Sequence, residues 1–302
     1  MLNSLWSALP GAVAQGLIWG LMAVGVYITF KILDVADLTV DGSICTGAAV
    51  CTVLIIDGKP VAVALIAAVL AGILAGILTG IFHTALGIPA ILSGILTQLI
   101  LWSVNLKILG KANQSVSARA YDVIVSQMQI PKACIVLMIV SIVLVAFLYW
   151  FFGTELGCSI RATGCNLNMS RAQGINVNFT KIFGLALSNG IVALSGALLC
   201  QYQGFTDINM GRGAVVIGLA AVVIGEVLAK RISTNFAVRL FGVIAGAIVY
   251  YVVYQIIIFS GFDTDLLKMF SAIVVALFLG IPYLRKKLCA AHSVSKRGAQ
   301  NA

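Results

Sequence analysis

Few side chains in this 302-residue sequence can do chemistry, and most of them gather in two places. The first is Asp34-Val35-Ala36-Asp37-Leu38-Thr39-Val40-Asp41-Gly42-Ser43, which places three of the ten acidic residues between two apolar runs. A charge at the centre of a membrane-spanning helix costs about 2.5–3.5 kcal/mol on insertion scales, so carboxylates near membrane depth are candidates for function. Two readings fit this spacing. Asp37, Thr39, Asp41 and Ser43 line a polar translocation path, or Asp37, Asp41 and Ser43 cap a helix that restarts there by accepting its free N–H groups. The second place is the polar segment 153–181, rich in Asn, Gly and Arg. Its Arg161 and Arg171 can pair with acidic groups on a partner or with lipid phosphates.

Other chemistry is poorly supplied. The seven cysteines form no C-x-x-C pair, and the two histidines, His83 and His292, lie far apart, so no metal site is expected. H-E-x-x-H, paired aspartates and a Ser/His arrangement are all missing from the apolar runs, which argues against a membrane-embedded enzyme. Lys59 and Lys111 each follow a glycine, yet neither has the earlier Gly or the following Ser/Thr of a phosphate-binding loop. Such a chain cannot hydrolyse ATP by itself, and no cofactor of its own is expected. Glu226 precedes Lys230 by four residues, the favourable order for a helical ion pair. Gln15, Gln98, Asn105, Asn189, Gln201, Gln203 and Gln255 are uncharged groups in or near apolar runs that can contact a solute or bridge helices.

The elements that must position these groups are membrane helices. The sequence is 61% hydrophobic and 10% charged with a mean hydropathy of +1.08, whereas a soluble domain carries about a quarter charged residues. A net charge of +9 in such a chain reports orientation and contact with anionic headgroups, not nucleic acid. A bilayer core takes about 20 helical residues. Apolar windows of that size recur at 11–30, 40–56, 61–82, 88–109, 133–152, 182–203, 214–229, 236–259 and 265–284, which predicts an all-α polytopic bundle of about nine spans. The second and seventh are short. Basic residues cluster at Arg285, Lys286, Lys287, Lys296 and Arg297, at Lys230, Arg231 and Arg239, and at Arg161, Arg171 and Lys181, all on one side of such a bundle. The positive-inside rule then places the C-terminal tail 285–302 and the loop 153–181 in the cytoplasm and the N-terminus outside. The N-terminus lacks a basic region before its apolar run and reads as retained.

Between the spans, residues 110–132 form an external stretch with apolar Val123-Ile124-Val125, expected as a short helix against the membrane. Within 153–181 a short helix is predicted, with Asn166 or Asn168 near its N-cap and Gly174 as its stop. Gly72, Gly76 and Gly80, Gly16 and Gly20, and Gly242 and Gly246 repeat every four residues, the spacing that lets helix backbones approach closely in lipid.

The cytoplasmic segment resembles the permease subunits of bacterial ABC importers of the branched-chain amino acid and ribose type. Arg161-Ala162-Thr163-Gly164-Cys165-Asn166 and Arg171-Ala172-Gln173-Gly174-Ile175-Asn176-Val177 are similar to that family's coupling segment, R-A-x-G-x-N followed by R-x-x-G-I. Leu187-Ser188-Asn189-Gly190 and Leu194-Ser195-Gly196-Ala197-Leu198 are similar to its next span, and Asp37-Leu38-Thr39-Val40-Asp41-Gly42 is similar to the D-L-S-V-G segment of sugar permeases with Asp41 inserted. The resemblance runs from about Gly20 to Tyr283 and is concentrated in 157–198. Members often begin with an extra helix; its omission here agrees with nine spans and an external N-terminus.

The resemblance implies one permease domain over 1–302, acting as a homodimer or beside a paralogue in a bacterial cytoplasmic membrane. It implies two cytoplasmic ATPases that bind ATP, an extracytoplasmic solute-binding protein, and alternating access driven by nucleotide. Arg161, Gly164, Asn166, Arg171, Gly174, Ile175 and Asn176 become the expected ATPase-coupling residues. The expected cargo is an amino acid, branched-chain or aromatic, with a sugar or nucleoside as the alternative. An ion-coupled secondary transporter is the rival from another class, but it needs a titratable midplane site and often shows internal repeats, neither of which is evident.

Overall fold

The computed structural model describes residues 2–116, 121, 123–230, 235–259 and the isolated positions 269, 273, 276 and 280. Helix α1 (Leu2–Tyr27) runs into a π-helical turn, Ile28–Ile32. It is followed by α2 (Val40–Ile56), α3 (Val61–Thr84), α4 (Ala90–Leu109), strand β1 (Asn113–Ser115), a 3₁₀ turn (Gln127–Gln129) and α5 (Ile130–Phe151). Two short helices, α6 (Glu155–Cys165) and α7 (Leu167–Ala172), lead to α8 (Val177–Gln203), strand β2 (Phe205–Asp207), α9 (Ala214–Ala229) and α10 (Phe236–Phe259).

Local sequence accounts for most of these limits. Pro60 and Pro89 stand at the N-caps of α3 and α4, and Pro131 opens α5, positions where a missing N–H costs nothing. Gly110 and Gly204 end α4 and α8 in left-handed conformations, the usual C-terminal stop.

Eight of the nine expected segments are helices, and six of these are long and apolar enough to cross a membrane: Ala8–Ile32, Val61–Thr84, Ala90–Leu109, Gln127–Phe151, Val177–Gln203 and Phe236–Phe259. The two expected to be short, α2 and α9, have 17 and 16 residues. The ninth, 265–284, lies outside the described residues except for Met269, Ile273, Ala276 and Gly280, which are helical. The basic tail 285–302 lies outside them altogether. Two expectations are corrected. The stretch 110–132 carries strand β1, which pairs antiparallel with β2 through Asn113–Asp207, Gln114–Thr206 and Ser115–Phe205, so a small ribbon joins an otherwise helical bundle. The segment 153–181 holds two helices rather than one, and the following span begins at Val177.

The bundle is built around α1 and α8, of whose spanning windows 83% and 78% are buried, against 28% for α3 and α4. Glycine stripes set the close contacts. A Cβ on Gly72 or Gly76 of α3 would overlap the Asn189 or Leu185 carbonyl of α8, and one on Gly80 would stand 2.8 Å from the Ile182 Cα. On the other side of the bundle, Gly16 of α1 meets Ile248 of α10, and Gly242 and Gly246 of α10 meet Gly225 of α9. Where hydrophobicity cannot drive association, such backbone contact supplies the packing. The outer helices turn Leu70, Leu74, Leu99, Ile139 and Val143 outward, an apolar surface suited to lipid. Glu226 of α9 pairs with Lys230 at 3.8 Å, as its spacing predicts, and more closely with Lys31 of the π turn at 3.1 Å.

Candidate functional site

After the π turn the chain stops being helical from Leu33 to Leu38, with Asp34 at a φ of 55°. This stretch passes close against α4, where a Cβ on Gly94 would lie 2.7 Å from the Leu38 nitrogen. It carries Asp37 into the protein interior. One Asp37 oxygen accepts the Thr39 N–H at 2.8 Å, and the other accepts the Asn189 side-chain amide of α8, also at 2.8 Å. Asn189 in turn accepts the Ser43 hydroxyl at 2.6 Å, and Thr39 shares a hydrogen bond of 2.7 Å with Thr79 of α3. All of Asp37, Thr39, Ser43, Thr79 and Asn189 are buried, so a continuous polar layer ties α2, α3 and α8 together through the break. Asn189 sits near the middle of α8, about 18 Å from its start by the 1.5 Å rise per residue.

Asp41 has a different partner. Its two oxygens accept the N–H groups of Gly213 and Val215 at 2.9 and 3.0 Å, which caps α9 and not α2. The chain from β2 to α9 therefore runs back alongside α2: Thr206 bonds Thr52 at 2.6 Å, the Gly211 N–H reaches the Cys45 sulfur at 3.1 Å, and α9 starts beside Asp41. This explains why α2 and α9 are short. Both begin inside the bundle, and the positive ends of their backbone dipoles converge near the two carboxylates.

The capping alternative for α2 is thereby corrected. Asp37 does accept an N–H at the start of α2, that of its N-cap residue Thr39, so the correction concerns Asp41 and Ser43, which bond to other helices instead. Sequence reasoning left Asn189 unranked among seven amides and did not find Thr79 or the pairing of Asp41 with the start of α9. The one signal for Asn189 was its place in Leu187-Ser188-Asn189-Gly190.

At the far end of α8 the expected coupling residues form one construction. Thr154 caps α6, Asn166 caps α7 by accepting the Asn168 and Met169 N–H groups at 3.0 and 3.1 Å, and Asn176 caps α8 by accepting that of Phe179 at 3.1 Å. Of the two candidate caps, Asn166 is the one used. Gly174 closes α7 at a φ of 80°, with the Ile175 N–H returning to the Ser170 carbonyl at 3.0 Å. Gly164 presses directly on the Ile32 carbonyl, so α6 rests on the π turn that leads into the polar break. Thr163 and Thr180 join α6 to α8 at 3.0 Å. Arg161 lies over the Phe236 ring at 5.6 Å, Arg171 is exposed on the last turn of α7, and Leu167 and Met169 of α7 are also exposed. Among the described residues no group of three or more His, Cys, Asp or Glu is placed to hold a metal.

The family described as branched-chain amino acid transport system / permease component matches residues 9–281. The chain belongs to this family. It is 38% identical over 274 residues to the tyrosine transport system permease protein of Clostridioides difficile, covering 90% of each chain. It is 31% identical over 278 residues to an uncharacterized protein of Rickettsia prowazekii, covering 91% of this chain and 97% of that one. The autoinducer 2 import system permease protein LsrC of Escherichia coli matches at 33% over 88 residues, 29% of this chain and 26% of that one. A chain of PsaBC from Streptococcus pneumoniae, solved with a Fab, shares the fold with a TM-score of 0.51 at 14% identity, covering 93% of this chain and 95% of that one. The protein is thus the permease component of an ABC transport system and a multi-pass inner-membrane protein. Such permeases are non-catalytic and work with an ATPase and a substrate-binding partner.

Proposed function

We propose that this permease carries an amino acid with an aromatic or apolar side chain into the cytoplasm by alternating access, as one of two permease copies driven by two cytoplasmic ATPases. The observation that carries the reading is the contact of Gly164 with Ile32, which connects a surface helix pair to the polar break. ATPase closure pushes on α6 and α7, where exposed Leu167, Met169 and Arg171 offer apolar and cationic contacts to a docking partner. The push passes through the π turn to the segment Leu33–Thr39 and so to Asp37 and Asn189. Nucleotide can shift the two pore states only by binding them differentially, and a rigid, capped lever is a means of doing so.

The basic residues around α6, α7 and the tail support a cytoplasmic position for that face and an external one for the β1–β2 ribbon, the side on which a solute-binding protein would dock. The amino-acid cargo is supported by the tyrosine transport relative, similar over nine-tenths of both chains. Uptake of L-tyrosine and L-leucine into proteoliposomes holding the permease, its ATPase and its binding protein tests the reading. Accumulation that requires ATP and all three components is expected. Uptake by the permease alone under an imposed proton or sodium gradient would overturn it.

A further inference from the structure

We propose that the cavity between α2, α4 and the chain leading into α9 is a binding site for the transported amino acid in its zwitterionic form. The cavity encloses about 280 Å³. That is at the small end of the roughly 300–1,000 Å³ usual for ligand pockets, a size for a single small solute. The inference rests on the importer reading above and adds the site and the chemistry of recognition.

Four groups carry it. Asn105 of α4 lines the cavity and is 1% exposed, and neither its side-chain nitrogen nor its oxygen has a hydrogen-bond partner among the described residues. A buried amide left open as both donor and acceptor is costly to stability, and it calls for a partner able to accept and to donate. Gln98 lies on the same wall, on the same face of α4 about two helical turns before Asn105. Asp41 and Arg212 bring opposite charges to the lining, and no salt bridge joins them among the described residues. An ammonium group can therefore approach the Asp41 carboxylate, while a carboxylate takes the Arg212 guanidinium. Trp102 supplies an aromatic wall for the side chain.

This combination selects among solutes. A sugar can hydrogen-bond to all of these side chains but carries no charge to neutralise either Asp41 or Arg212. A zwitterion satisfies all of them. The site also lies where the mechanism needs it, since Asp41 follows the polar break and caps the helix that begins at the same depth.

Saturation-transfer NMR on nanodisc-embedded permease with its ATPase, using L-tyrosine, tyramine, 3-(4-hydroxyphenyl)propionate and ribose as probes, tests the assignment. L-tyrosine should bind and ribose should not. Arg212→Gln should weaken L-tyrosine at least tenfold while leaving tyramine, which has no carboxylate, unchanged. Asp41→Asn, which keeps an oxygen for the α9 cap, should weaken L-tyrosine and spare the propionate. Asn105→Leu should raise the melting temperature and weaken L-tyrosine, a pairing that a merely structural amide would not give. Equal L-tyrosine binding by wild type and Arg212→Gln, or ribose competing for the site, would overturn the assignment. If these arms fail while the full importer still accumulates L-tyrosine with ATP, this cavity is refuted and the importer reading stands; if the full importer accumulates no amino acid, the importer reading itself falls.

Discussion

Replacing Gly164 by Ala is the sharpest probe of how nucleotide energy reaches the pore. The added Cβ would overlap the Ile32 carbonyl oxygen and stand 2.8 Å from its carbon and 3.0 Å from the Leu33 Cα. Carbon atoms rest about 3.5–4.0 Å apart, and every atom in the way is backbone, so no rotamer change relieves the clash. Helix α6 must lift off the π turn by about 1 Å. Overpacking of this kind costs about 1–3 kcal/mol. A coupling free energy of that size corresponds to about 5- to 150-fold in the balance between two states. ATP hydrolysis and L-tyrosine uptake by the reconstituted importer are measured side by side. Hydrolysis should persist, because α7 and its exposed face are untouched, while uptake per ATP falls at least fivefold. An unchanged ratio in a variant that inserts normally would refute the idea that the α6 contact with Ile32 transmits the push.

Further outcomes follow from the same geometry. Gly174→Val forces a branched residue to a φ of 80°, costing about 1–2 kcal/mol at the end of α7, and should lower both uptake and transport-linked ATPase activity. Arg171→Glu reverses an exposed charge on α7 and should reduce ATPase co-purification without altering the melting temperature of the permease. Asn189→Leu leaves buried Asp37 with the Thr39 N–H and removes the acceptor of the Ser43 hydroxyl, and should destabilise the protein by about 3 kcal/mol in a thermal-shift assay; the double variant Asp37→Leu/Asn189→Leu should recover little of that loss, since the buried Thr39 N–H and Ser43 hydroxyl are then stranded. Glu226→Gln breaks a pair whose lysines are half or more exposed and should change stability by less than about 1 kcal/mol.

Part of the coupling segment was readable. A cap at Asn166 or Asn168 and a stop at Gly174 follow from residue type and spacing, because such residues act on backbone groups within a few residues of themselves; the second helix and the cap that Asn176 gives α8 were not read. The glycine stripes were readable as contact faces for a similar reason, because only the helical period is needed to align them. Which helix each stripe meets was not readable, and neither was the ribbon formed by β1 and β2, whose strands are separated by four α-helices in the chain. Asp41 misled through its own position: a carboxylate in the first turn of α2 looks like that helix's cap, yet it serves the start of α9, 172 residues away.

Composition, hydropathy and local motifs by themselves determined that this chain lives in a membrane as a bundle of helices, that the sequence given holds no phosphate-binding loop, and that its polar chemistry lies in one break and one polar segment. Those properties are sums over neighbouring residues. Only the tertiary structure decided that Asp37 faces Asn189, that α9 begins at Asp41, that Gly164 bears on Ile32, and that Asn105 and Arg212 line one cavity, the Asn105 amide without a partner among the described residues. The physical reason is that apolar helices of equal hydropathy carry no local mark of their rotation, depth or neighbour; close backbone packing between distant segments sets all three, and with them which polar groups meet.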